Sequence, residues 1–543
     1  MRSQFRLWFT IAALSTSVVL AQEEADESPA IQKIETLGGK VERNAQTPSR
    51  TVIGISFREG KGEGFGDEDV RLLKSFRSIT TLDLYNNCLT DAGLKELGQF
   101  KNLKSLKVGN SGMFTSDDSG KNIPIIPFTD TGIRELGKLT NLTELDLCNT
   151  GITDAGLKEL NGLKNLISIN LRETGITDAG LKELNGLKNL ISINLRETGI
   201  TDLGLSELKG LRNLTKLNLS QTKVTDVGLS HLAELKSLTD LNLQATNITD
   251  AGLKALSGLE NLTTLELGTS EVIEFVRRPT RVRITDAGLK SLRDLKKLKT
   301  LRLSMTQITA AGLSELKNCQ QLAVLDLDGN ALHGAGLNSL SELQNLTELT
   351  LQKTGITDAD LKPLRDLKNL QTLNLMINQV TDAGLEHLRE LKYLTALDLS
   401  FNQITDRGLQ HLKELKNLKS LDLSFNKITD AGLKHLSNLT ELTELSLRDS
   451  KITNDGIKQL KSFESLTILR LDQTRITNSG LKDFKDFKNL SVLSIAGTQI
   501  SDTGLQELVN IKGLKELDVS DTPTTEAALN KLMEMLPHVE ICR

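Results

Sequence analysis

Residues 151–174 read GITDAGLKELNGLKNLISINLRET, and residues 175–198 repeat them letter for letter. A tandem copy without drift supplies a ruler of 24 residues. Laid along the chain, it recovers units of the form N-L-x-x-L-x-L-x-x-T-x-I-T-D-A-G-L-x-x-L-x-x-L-x over most of the length. Self-similarity at a fixed period of this size is the mark of a solenoid, in which each unit packs only on its neighbours.

Each unit must supply one strand and one helix. In 141–164, Leu142, Leu145 and Leu147 stand at spacings of three and two, while Glu144, Asp146 and Cys148 alternate with the last two leucines. That alternation predicts a short, half-buried strand. The chain then turns at Thr150, sinks Ile152 into the core and enters Thr153-Asp154, whose side-chain oxygens suit the free N–H groups of a helix start. Leu157, Leu160 and Leu163 follow at intervals of three, the pattern of a short helix with one buried face. Gly156 recurs at one place in nearly every unit, where a missing side chain lets the helix approach its neighbour. No single unit can bury these leucines; stacking buries them all, with strands on one face and helices on the other.

The L-x-x-L-x-L-x-x-N/T-x-I signature resembles the leucine-rich repeat family. The resemblance implies an α/β solenoid with a parallel sheet on the concave face of a horseshoe and short helices on its convex face. The usual Asn before the turn is mostly Thr (Thr150, Thr174, Thr198, Thr222, Thr246) and is Asn at Asn330, Asn378, Asn402 and Asn426. A hydroxyl can secure the turn through fewer bonds than an amide.

The ends differ from the middle. Arg2 and Arg6 precede an apolar run, Leu7 to Leu20, that is too short to span a bilayer, so residues 1–21 read as a secretory signal peptide. Residues 22–50 hold an acidic linker and an N-terminal cap, with Ile31, Ile34 and Leu37 stopped by Gly38-Gly39. Repeats fill 51–512, with insertions at 112–127 and 271–283. The last repeat and a C-terminal cap occupy 513–543, including a helix over 526–536 and a half-strand over 539–541. No span is expected after signal cleavage, which places the chain outside the cytoplasm: periplasmic, cell-surface or secreted.

Charge and composition exclude several functions. The net charge of −4 becomes −6 without Arg2 and Arg6, which is no footprint for nucleic acid. Cys88, Cys148, Cys319 and Cys542 sit in four distant units, which argues against a disulfide framework. His231, His387, His411 and His435 share one repeat position on the helix side, where neighbouring helices lie about 10 Å apart. That is too far for two imidazoles to share a zinc at about 2 Å each. No phosphate loop, nucleophile elbow or zinc spacing is present. The N-L-T triplets match a glycosylation acceptor but are better explained as the start of each strand. The sequence therefore reads as a non-enzyme without cofactor.

Recognition by a surface remains. The three outward strand positions of the units from Ser78 to Gly513 carry fourteen acidic and seven basic residues. Asp83, Asp146, Glu266, Asp326, Asp398, Asp422 and Asp518 share one column with Asn170, Asn194, Asn218, Asn242 and Asn374. Ile377, Phe401 and Phe425 share another position in three consecutive units, an apolar anchor bordered by Asp398, Asp422, Arg448 and Arg470. The first insertion brings Phe114, Ile125 and Ile126; the second brings Phe275 with Arg277, Arg278, Arg281 and Arg283. Both follow the strand, so both are expected on one rim. The expected function is a monomeric binding scaffold for a protein, peptide or glycan. A self-associating envelope component is the alternative, and a ubiquitin-ligase-like substrate receptor the third.

Overall fold

The computed structural model describes residues 27–46, 51–57, 65–87, 89–110, 114–116, 122–124, 128–269, 283–333 and 337–543. The signal-peptide segment and most of both insertions lie outside these residues. Two compact units, Met1–Leu262 and Thr263–Arg543, make up the chain.

In the first unit the sheet opens with the antiparallel pair Lys40–Arg43 and Val52–Ser56. Every later pairing is parallel, through Thr81–Asp83, Ser105–Lys107, Glu144–Asp146, Ser168–Asn170, Ser192–Asn194, Lys216–Asn218 and Asp240–Asn242. The central residue of each strand from Leu82 to Leu241 is at most 2% exposed, whereas its two flanking residues face solvent. A helix over 27–36 buries Ile31, Ile34 and Leu37 and ends at Gly38, whose φ of 83° a side chain would disfavour.

The Thr-Asp pair at each helix start divides its work. Thr153 caps its own helix, Asp154–Glu159, by accepting the Ala155 N–H at 3.3 Å. The aspartates, expected from sequence to do the same, reach across to the next repeat instead. Asp130 accepts the Thr153 N–H at 2.8 Å and its hydroxyl at 2.6 Å. Asp91, Asp154, Asp178, Asp202 and Asp226 hold Thr129, Thr177, Thr201, Thr225 and Thr249 in the same way. This contact also explains the recurring glycine. A Cβ on Gly156 would lie 2.3 Å from Asp130 Oδ1, so the missing side chain makes room for a carboxylate rather than for a neighbouring helix.

The second unit carries twelve parallel strands among its described residues, from Thr264–Glu266 to Glu540–Cys542. Several of its helices are 3-10, as in Gly312–Asn318 and Asp358–Asp366, the latter containing Pro363. Asp286, Asp358, Asp382, Asp406 and Asp430 repeat the bond to the following threonine. The unit ends with the helix Glu526–Met535 and the strand Glu540–Cys542.

A second ladder runs through the asparagine that precedes the first leucine of many repeats, including those of the N-L-T triplets. Asn141, Asn165, Asn189 and Asn213 donate through Nδ2 to Lys101, Thr140, Lys164 and Lys188 carbonyls at 2.8–3.0 Å. The repeat itself therefore gives these amides a use.

Candidate functional site

After most strands the chain passes through one left-handed residue. The φ values are 52° at Asn149, 55° at Glu173, 58° at Gln221, 54° at Ile377, 55° at Phe401 and 56° at Phe425. Bulky residues rarely adopt this conformation, and β-branched ones such as isoleucine least of all. The next side chain secures the turn. Thr150 donates to Leu147 O at 2.7 Å, a single bond, as the hydroxyl chemistry led us to expect. Asn378 donates to Leu351 O at 2.8 Å and Leu375 O at 3.0 Å, and its Oδ1 accepts the N–H groups of Thr354 at 3.1 Å and Ile356 at 3.3 Å. Ile377, Phe401 and Phe425 thus precede Asn378, Asn402 and Asn426, so the apolar residues sit on the turns that an amide holds.

The apolar residues come together as their spacing implied. The Phe401 and Phe425 rings stack with centroids 3.9 Å apart and planes 12° from parallel. Ile377 precedes them one repeat earlier in the ladder, Ile377 N–H donating to Ser400 O at 3.1 Å and Phe401 N–H to Ser424 O at 3.0 Å. Phe401 is 41% exposed and Ile377 37%, while Phe425 is half-buried in the stack, so the first two members of the row meet water.

Beside the row, Asp398 and Asp422 are paired in register on adjacent strands, within the acidic and amide column read from the sequence. Each carboxylate accepts the N–H two residues on, from Ser400 at 2.9 Å and Ser424 at 2.8 Å. Burial, opposed by the Ser400 bonds and reinforced by the charge of Asp422, leaves the Asp398 carboxyl above its ordinary pKa. The two expected border arginines are engaged elsewhere. Arg448 pairs with Asp472 and Arg470 with Glu444. Opposite charges one period apart, at positions 448 and 472, were the sequence signal for the first pair. The border that remains is acidic.

Leucine-rich repeat models match residues 212–272, 344–404 and 392–452, and a second leucine-rich repeat model matches 77–98, 138–160, 294–317 and 488–509. The chain belongs to the leucine-rich repeat family. Among solved leucine-rich repeat structures, mouse RP105 in its complex with MD-1 is 20% identical, with a TM-score of 0.50, over 86% of this chain and 79% of that one. Internalin C2 of Listeria monocytogenes is 34% identical, with a TM-score of 0.30, over 34% of this chain and 75% of that one. A leucine-rich repeat protein of Leptospira interrogans is 22% identical, with a TM-score of 0.37, over 87% of this chain and 92% of that one. No curated protein matches.

Other leucine-rich repeat positions singled out from sequence are distributed as follows. Phe114–Ser116 pairs antiparallel with Asn122–Pro124, a hairpin inside the first insertion. Arg283 is exposed at the end of the second. Ile125, Ile126, Phe275, Arg277, Arg278 and Arg281 lie outside the described residues. The four histidines are half-buried, and no group of metal-ligating side chains is found among the described residues. Cys148 and Cys319 are buried free thiols, pushed up to about 12 and about 11 chiefly by burial, and Cys542 is free and exposed. No described helix is long and apolar enough to cross a membrane.

Proposed function

We propose that this protein is an exported, non-catalytic scaffold that binds a protein or peptide through the solvent face of its sheet and the rim where the strands end. The observation that carries this reading is the stacked Phe401–Phe425 pair. Most equivalent turns hold Asn, Glu, Gln, Lys, Asp or Gly, whereas here three apolar residues occupy a conformation that costs about 1–3 kcal/mol at each strained position. Strain combined with exposed apolar area is expected of a contact surface, not of a solubility device. Asp398 and Asp422, with no basic partner among the described residues, suit a ligand that offers a lysine or arginine beside an apolar side chain. Phe114, Ile125 and Ile126 of the first insertion, and Phe275, Arg277, Arg278, Arg281 and Arg283 of the second, are proposed as further ligand contacts.

The test is affinity capture from extracellular and envelope fractions with wild-type protein and with the double variant Phe401→Ser, Phe425→Ser. Serine at both positions is expected to abolish retention of the specific partner while the unfolding transition persists. Undiminished capture by the folded variant would remove the site.

A further inference from the structure

The two identical repeats present chemistry opposite to that of the phenylalanine row. Asn170, Asn194 and Asn218 stand in one column on adjacent strands. In each, Oδ1 is consumed by the N–H two residues on: from Arg172 at 3.2 Å, Arg196 at 3.0 Å and Ser220 at 2.9 Å. The amide NH2 is therefore the end left facing outward. Asn170 shows what such a group does beside a carboxylate, because its Nδ2 donates to Asp146 Oδ2 at 3.0 Å. Asn194 and Asn218 have no acceptor for Nδ2 among the described residues.

Arg172 and Arg196 lie two residues further along the same strands, in identical local sequence. Arg172 Nε donates to Glu173 at 2.8 Å, but Arg196 Nε is buried and lacks an acceptor among the described residues. At the opposite ends of these strands, Ile167 and Ile191 are 40% and 39% exposed. Donors and exposed aliphatic groups thus belong to the same two repeats, the aliphatic ones at the edge where each strand begins.

We propose that Asn194, Asn218 and Arg196 form a seat for an acidic side chain of a peptide ligand, with an aliphatic side chain of the same peptide lying over Ile167 and Ile191. Amides on adjacent strands are about 4.8 Å apart, a gap that the two oxygens of one carboxylate bridge with ordinary hydrogen bonds. The guanidinium adds a charge-assisted bond. An acidic polysaccharide satisfies the donors but offers nothing for the isoleucines, which favours a peptide. This seat rests on the scaffold reading but uses none of its residues.

The column supplies its own control. Aspartate stands there naturally at Asp146, Asp398 and Asp422 and accepts the same N–H bond, so Asn194→Asp with Asn218→Asp preserves the turn and reverses only the outward chemistry. The probes are fluorescein-labelled, C-terminally amidated octapeptides of Leu, Ala and Ser carrying one Glu, Gln or Lys, read by anisotropy at low salt. Wild-type protein is expected to bind the Glu peptide about tenfold or more tightly than the Gln peptide. The double variant is expected to lose that preference and favour Lys. Equal binding of Glu and Gln peptides, an unchanged preference in the folded variant, no binding of any probe, or selective binding of oligogalacturonate instead would each overturn the proposal. Phe401→Ser with Phe425→Ser is expected to leave the Glu preference intact, which separates failure of this seat from failure of the phenylalanine site.

Discussion

Asp154 holds the next repeat through both carboxylate oxygens: Oδ1 accepts the Thr177 N–H at 2.7 Å, and Oδ2 accepts its hydroxyl. Gly180 lies beneath, where an added Cβ would stand 2.3 Å from Oδ1. Gly180→Ala is therefore expected to cost about 1–3 kcal/mol through overpacking. Asp154→Ala is expected to cost about as much by leaving an N–H and a hydroxyl unpaired. In the double variant the clash is gone, so its cost should fall short of the sum by about 0.5 kcal/mol or more in denaturant titrations. Additive losses would show that the glycine serves another purpose.

Leu217, 2% exposed at the centre of its strand, fills core shared only with adjacent repeats. Leu217→Ala should cost about 2–5 kcal/mol. In a nearest-neighbour array the damage stays local, so hydrogen exchange should accelerate first around residues 193–241. Uniform acceleration across the chain would speak against independent repeats.

Asp398 gives a pH signature. Its folded pKa is raised, so the folded chain retains a proton that the unfolded chain sheds, and stability from this group grows as pH falls through the folded value. Asn374 shows that an amide in this column keeps the backbone bond, accepting Met376 N–H at 2.9 Å. Asp398→Asn is expected to raise the melting temperature at pH 7 and to give no advantage below about pH 3.9, once the wild-type carboxyl is protonated in both states. A variant less stable than wild type at pH 7 would reverse the assigned sign.

The second insertion carries Arg277, Arg278, Arg281 and Arg283. If it steers an acidic ligand, replacing all four with serine should slow association and flatten its salt dependence near physiological ionic strength, where the screening length is about 8 Å. Stopped-flow rates that keep the wild-type salt slope would remove the loop from the binding account.

The strand, the turn and the helix of each repeat were legible because burial imposes a period, and the copied block at 151–198 displays that period without noise. The apolar row at Ile377, Phe401 and Phe425 was legible for the same reason, since residues one period apart become neighbours on adjacent strands. The strain beneath it was not: a left-handed φ leaves a clear mark only when glycine fills the place, and here glycine is the exception. The pairing of Arg448 with Asp472 stands in the sequence as opposite charges one period apart, the spacing that makes neighbours on adjacent strands. The cross-repeat reach of Asp154 was hidden because a Thr-Asp dipeptide also has a sufficient local explanation at a helix start.

The most direct measurement places the photocrosslinker p-benzoylphenylalanine at Phe401 and, separately, at His435 on the helix side, and irradiates each protein in the fraction from which the partner is captured. The expected result is one adduct of defined mass from position 401, suppressed by unlabelled wild-type protein, and none from position 435. Equal labelling from both positions, or labelling from 435 alone, would contradict a binding surface on the strand-end rim.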